Sequence, residues 1–176
     1  MIATGRLLLD RWRDAYRAPA AAMNADREVM HWFVAPMSPA ETDAQIDRQT
    51  VMLADRGYCF WAVIRRSDAM FLGMAGLKDG APRTPVEGGL EIGWRFARHA
   101  WGHGYATEAA QAAMAHGFAD PTATRIGAIT AGGNARSAAV MTRLGMIRDP
   151  HGDFDHPLVP PGHVACRHIS YFRSRP

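Results

Sequence analysis

The residues able to do chemistry in this chain are concentrated in two runs. The first, Trp94-Arg-Phe-Ala-Arg-His-Ala-Trp-Gly-His-Gly-Tyr-Ala-Thr107, places Gly102 and Gly104 just before a helix-forming stretch. Glycine lets a backbone turn sharply and approach a ligand closely. The first N–H groups of a helix have no internal partner and sit at the positive end of its dipole. A phosphate or diphosphate is the natural occupant of such a turn. The second run, Asn134-Ala-Arg-Ser-Ala-Ala-Val-Met-Thr-Arg-Leu-Gly-Met146, reads as an Asn-capped helix closed by Gly145. Together the runs predict a pocket for a phosphorylated cofactor built from main-chain N–H groups. For the first run alone, an ordinary β–α turn is the alternative. It matches neither GxGxxG nor GxxxxGK[ST], and no ribose-binding acid follows at dinucleotide spacing.

Regular elements must hold these runs in place. Arg6–Trp12 reads as a strand, and Ala15–Met23 as a short helix with Asp14 as its N-cap. Ser38-Pro39-Ala40-Glu41 is a helix start with a capping box, predicting a helix to about Asp55 that stops at Gly57. Ile46, Val51, Met52 and Leu53 give its apolar side. Tyr58–Arg66 and Met70–Leu77 form a hairpin about Ser67-Asp68, and Asp79–Glu87 is a loop. Leu90, Ile92, Trp94 and Phe96 alternate with Glu91, Gly93 and Arg95, giving a two-faced strand. Tyr105–Phe118 is an amphipathic helix, Arg125–Thr130 a strand, and Asn134–Leu144 a helix with Val140, Met141 and Leu144 on one side. Met146–Arg148 and Val164–Phe172 are closing strands. The order β-α-α-β-β-β-α-β-α-β-β implies one parallel pairing in an otherwise antiparallel sheet.

Bulk properties narrow the class. The chain has 176 residues, which makes one domain over 1–176 the default, and 48% hydrophobic residues suit a globular fold. No apolar run is long enough to span a membrane. The first ten residues lack the basic start and apolar run of a secretory signal. Cys59 and Cys166 fit no ligand or CxxC spacing, so a reduced cytoplasmic setting is expected. The net charge is +3, but arginine is scattered and Lys78 is the lone lysine, so nucleic acid is not the expected partner.

The segment Glu91-Ile-Gly-Trp-Arg-Phe…Ala100-Trp-Gly-His-Gly-Tyr-Ala-Thr-Glu-Ala109 resembles the pyrophosphate-loop motif of the GNAT superfamily of acetyl-CoA-dependent N-acetyltransferases. The likeness is to the branch of the ribosomal-protein alanine acetyltransferases (RimJ/RimL-like). Asn134-x-x-Ser137-x-x-Val140-Met141-x-Arg143-Leu-Gly-Met146 resembles that branch's second cofactor motif. The resemblance implies a mixed α/β GNAT fold. This has six to seven mostly antiparallel strands, one parallel splayed pair and about four helices. Acetyl-CoA is the implied acyl donor, with no metal. Phe96, Ala97, Gly102, His103, Gly104, Tyr105, Ala106 and Thr107 then line it, mostly through backbone atoms. Asn134 reaches the pantetheine arm, Ser137 sits near the sulfur, and Arg143 belongs to the second motif. Two positions depart from the superfamily: His99 replaces the frequent Gln or Arg, and Met141 replaces the tyrosine that protonates the leaving thiolate.

The implied reaction is direct attack of a primary amine on the thioester. Glu91 is the preferred base, with a surface-facing strand glutamate as the alternative. Ser137 is the nearest group to the departing sulfur, and N–H groups near Phe96 and Ala97 could hold the developing oxyanion. Trp32 and Phe33 could wall the acceptor site. His156 and His163, in an Asp/His-rich segment over 153–168, could recognise the amine, with loop packing as the alternative. Glu108, in the first turn of its helix, suits the dipole. Two other functions stay open: a non-catalytic acyl-CoA sensor, and a nucleotide- or nucleic-acid-binding domain using the same helix start. The acceptor is left open, and a homodimer is compatible with the sequence.

Overall fold

The computed structural model describes residues 1–175. Its strands are β1 (Ile2–Ala3), β2 (Leu7–Asp10), β3 (Phe60–Arg65), β4 (Phe71–Asp79), β5 (Leu90–Phe96), β6 (Arg125–Ala131), β7 (Ile147–Arg148), β8 (Phe154–Asp155) and β9 (Arg167–Ser174). Its α-helices are α1 (Arg17–Ala25), α2 (Pro39–Arg56), α3 (Tyr105–Ala119) and α4 (Ala135–Arg143). One sheet runs in the order β1-β2-β3-β4-β5-β6-β9-β7, with β8 also on β9. All pairings are antiparallel except that of β5 with β6. That parallel pair covers only Leu90↔Ile126 and Glu91↔Gly127 before the strands diverge. The two-residue strands β1, β7 and β8 are too short for a period to show, and they raise the count above the six to seven expected.

Local chemistry accounts for most boundaries. At α2 the capping box forms: Glu41 N donates to Ser38 Oγ at 3.2 Å, and Ser38 N donates to Glu41 Oε2 at 2.7 Å. Gly57 ends the helix in the left-handed region. Asp14 does not cap α1. It lies in a single 3-10 turn, Asp14–Tyr16, and pairs with Arg17 at 3.1 Å, so the helix begins later than expected. Val51 is also corrected. It is 59% exposed, because the buried stripe runs through Ile46 and Gln49, whose Oε1 accepts from Phe60 N. The last strand starts at Arg167 rather than Val164, because Cys166 N bonds to His163 O in a turn.

Two cores flank the sheet. On one face, α3 presents Ala109, Ala110 and Ala113 to Leu77, Ile92 and Ile126, all buried. A Cβ at Gly117 would lie 2.8 Å from Leu77 Cδ1, so α3 packs closely on the sheet there and a larger residue would push that side chain aside. On the other face, α1 and α2 bury Met23 and Ile46 against Ala62, Ile64 and Met74. Strand β5 therefore has one face under α3 and another, carrying Glu91, Gly93 and Arg95, turned toward α1 and α2.

Candidate functional site

The cleft follows from the hydrogen-bond phase of β5. Ala97 N donates to Leu72 O at 2.9 Å, and β5 and β4 are in antiparallel register. In such a ladder alternate residues bond to opposite neighbours, so even-numbered residues of β5 turn their main-chain groups toward β6. Beyond Glu91 there is no β6 residue paired with them. The main chain at Trp94 and the N–H of Phe96 thus form an open edge. Phe96 O is already taken, by Trp101 Nε1 at 2.8 Å. Ala97 N–H is committed to Leu72, so it cannot hold an oxyanion. That expectation is corrected, and Phe96 N–H is the donor left.

The chain then makes a 3-10 turn at Arg98–Ala100 and enters α3 through Gly102 and Gly104, with φ of +79° and +77°. An L side chain is strained in that region. Gly104 is the N-cap of α3 and has no side chain to offer. Glu108 N is the first amide of the helix to find an acceptor, Gly104 O at 3.1 Å. Among the described residues the N–H groups of Tyr105, Ala106 and Thr107 have none. A Cβ at Gly102 would meet nothing within 4 Å, so it is the backbone conformation and not crowding that calls for glycine there. Tyr105 buries its side chain in the core, and His103 stacks on it at 5.4 Å.

A brace missed by the sequence reading holds this turn. Arg6 Nη1 donates to His103 O at 3.0 Å, and Arg6 Nε to Glu108 Oε2 at 2.7 Å. Glu108 also accepts from Thr4 Oγ1 and Arg6 N. The acid expected to favour the helix dipole therefore also staples β2 to the loop. Nothing in the sequence links positions about a hundred residues apart.

On the other side of the cleft, Asn134 caps α4. Ser137 N donates to Asn134 Oδ1, and Asn134 Nδ2 to Ser137 Oγ, both at 3.2 Å. The Ser137 hydroxyl keeps its own proton free to donate. Met141 is buried at 2% exposure. Arg143 is exposed at the far end of α4, roughly 13 Å along the axis from Asn134. It is not brought together with Asn134 and Ser137. Arg136 instead lies over Trp101, 4.4 Å from the ring centroid. A groove of about 810 Å³ opens here, walled by Pro19 and Met23 of α1, by Ala97 and His99, and by Arg136.

Glu91 sits at the last paired position before the strands part. It is buried, not surface-facing, and its Oε2 is 2.9 Å from Lys78 Nζ. Burial pushes its carboxyl above the usual carboxylate range, against the pull of Lys78. Trp32 packs on the β6–α4 turn, where a Cβ at Gly133 would lie 2.6 Å from its ring. Phe33 lies against Arg95, 4.1 Å from guanidinium carbon to ring centroid. Residues 32 and 33 thus reach from β5 to the far side of the splay. His156 packs beside His168 at 4.8 Å, with Phe154 against both. His156 Nδ1 accepts from Leu158 N, and His163 Nδ1 from Ala165 N, so each fixes its own turn. Asp153 and Asp155 pair with Arg148 and Arg167. Loop packing accounts for these contacts.

The fold, the divergent parallel pair and the bare helix start define an acyltransferase scaffold, and comparison with known proteins agrees. The family model of the Acetyltransferase (GNAT) domain matches residues 6–147, and the chain belongs to that family. A curated Bacillus subtilis relative, the uncharacterized protein YkkB, is 33% identical over 90 residues. That match spans 51% of this chain and about half, 51%, of the relative. A GNAT-family acetyltransferase structure from Bacillus anthracis superposes with a TM-score of 0.80 at 24% identity, covering 98% of this chain and 97% of that one. The RimL ribosomal L7/L12 α-N-protein acetyltransferase in complex with coenzyme A superposes with a TM-score of 0.74 at 18% identity, covering 97% and 95%. At these identities the structures share the fold. Among the described residues no helix is long and apolar enough to cross a membrane.

Proposed function

We propose that this chain is an acetyl-CoA-dependent N-acetyltransferase acting by direct attack of a primary amine, as a single domain in the cytoplasm. The observation that carries the reading is the meeting of two sets of unpaired main-chain groups. The open edge of β5 at Trp94 and Phe96 runs into the bare N–H groups of residues 105–107. An open strand edge suits an extended chain with amides, which is what pantetheine is. A helix start suits a diphosphate. One acetyl-CoA spans both, lined by Phe96, Ala97 and residues 102–107.

In this reading Glu91, roughly 16 Å along β5 from Phe96, receives the proton of the attacking amine through a water chain. Its raised pKa makes it a stronger base than an exposed glutamate, and Lys78, partly exposed, neutralises it between turnovers. Phe96 N–H faces the carbonyl oxygen as charge develops. Ser137, held by Asn134, offers its hydroxyl as a hydrogen-bond donor to the departing sulfur. Met141 has no proton to give, so the thiolate leaves with a hydrogen bond from Ser137 and takes its proton from solvent. Holding amine and thioester in contact supplies much of the rate. The motif pair supports the RimJ/RimL-like branch.

Thiol release from acetyl-CoA over an amine library tests this. Release that depends on an amine and falls in Glu91→Gln is expected. Tight CoA binding with no release for any amine would instead leave a sensor.

A further inference from the structure

On the same face of β5 as Glu91, Arg95 carries a positive charge that the protein does not neutralise. Its Nη1 donates to Asn24 Oδ1 at 2.7 Å and touches Met37 Sδ at 3.7 Å, and the Phe33 ring covers its guanidinium. Nε is buried without a partner. Among the described residues no carboxylate lies within 4.0 Å of it. Asp26 and Glu28 pair with Arg98, Glu41 with Ser38, and Glu91 with Lys78. Burial lowers the Arg95 pKa to about 10, which still leaves it a cation at neutral pH.

The group is also held in one orientation. Buried Asn24 donates its Nδ2 to Thr42 Oγ1 and Gln45 Oε1, both at 3.2 Å, which turns its Oδ1 toward Arg95. With Nη1 used in this way, the edge made by Nε and Nη2 is left over. That edge is the one that grips a carboxylate with two parallel hydrogen bonds. Phe33, 40% exposed in the segment between α1 and α2, is the ring an entering group displaces. Trp32, its neighbour, packs on the turn after β6, so the segment that covers Arg95 also touches the far side of the parted strands.

We infer that Arg95 is a specificity residue that binds a carboxylate on the acceptor, so that the substrate class is a primary amine that also bears a carboxylate. The inference rests on the acyl-transfer reading. An unpaired buried cation is costly, and an anionic acceptor removes that cost only when it is bound. Polyamines, which bring further positive charge, are disfavoured at this site.

The test is a thiol-release assay on matched amine pairs that differ only in carboxylate against carboxamide. One series uses free amino acids and their amides, the other short peptides with Glu or Gln beside the amine. Wild-type protein favours the carboxylate member by about 10- to 100-fold in kcat/KM, mostly through KM. The series showing the larger preference identifies a free amino acid or a peptide as the source. Arg95→Gln brings the ratio near one and leaves turnover of the carboxamide member within about threefold. Asn24→Asp neutralises the guanidinium from within, abolishes the preference without removing Arg95, and decides the matter should Arg95→Gln fail to fold. Equal turnover of both members by wild type, or a preference that survives these variants, overturns the inference while the transferase reading stands. No acylation of any pair overturns both.

Discussion

Gly104 is where a single methyl group should separate diphosphate binding from everything else in the fold. It holds φ at +77° as the N-cap of α3, one residue before the three unpartnered N–H groups. A Cβ there has room, its nearest neighbour being Arg6 Nη2 at 3.6 Å. The damage is therefore conformational. An L residue in this region costs about 1–2 kcal/mol, and a β-branched one more. Relief of that strain rotates the peptide that aims the first amides. A hydrogen bond to a charged group contributes about 1.5–3 kcal/mol, so misaiming one donor weakens CoA binding by about 10- to 150-fold. Gly104→Val should show at least that loss by titration calorimetry, and Gly104→Ala less. Thermal unfolding should shift by only about 2–8 °C. Pantetheine, which has no diphosphate, should bind both variants like wild type. Unchanged CoA affinity in Gly104→Val, or an equal loss for pantetheine, would refute the reasoning.

Other consequences can be checked with ordinary assays. Glu91→Gln should lower kcat about 10²- to 10⁴-fold and remove the acid limb of the pH–rate profile, since the base must be ionised to act. The wild-type limb should lie above the ordinary glutamate range, because burial raises the Glu91 pKa. The same variant should not melt earlier at neutral pH. The stability tied to a raised carboxyl is present below its unfolded pKa and is lost as pH rises through the folded one, so the comparison is made across that rise. His168 and His156 are both held below the ordinary histidine value, chiefly by burial. Their contribution is present above about pH 6.5 and lost as pH falls through the lowered values. The melting temperature should drop on that acid side, and His168→Gln should shrink the drop; parallel curves would refute the assignment. Glu108→Ala frees Thr4 and Arg6 at once and should cost about 1.5–3 kcal/mol by denaturant unfolding, with CoA affinity falling as the Arg6–His103 brace loosens. Unchanged unfolding would show that the brace carries no weight.

What could be read from the sequence was local. The bounds of β5 follow from its alternation, and the start of α3 from two glycines before an alanine-rich face. The capping box of α2 is written in Ser38, Pro39 and Glu41. Asn134 announces α4 because capping needs only residues three apart. The rest depends on contacts between distant positions. Arg6 bonding to His103 and Glu108 leaves no trace in either neighbourhood. Glu91 looks like a surface residue in an alternating strand, because only the packing around it decides that its side chain is buried and that Lys78 of β4 meets it. Arg95 reads as one more outward arginine until Asn24, Phe33 and Met37 close around it. Arg143 shares a motif with Asn134, yet the helix rise carries it to the opposite end. The short strands β1, β7 and β8 exist because neighbours supply their partners, not because two residues prefer extension.

The central claim is that main-chain amides at the start of α3 and the open edge of β5 grip one molecule of coenzyme. A crystal structure with acetyl-CoA tests it most directly. The account predicts diphosphate oxygens within hydrogen-bonding distance of the N–H groups of residues 105–107, and pantetheine amides lying between β5 and β6. Coenzyme bound elsewhere, with those amides facing only water, would contradict it.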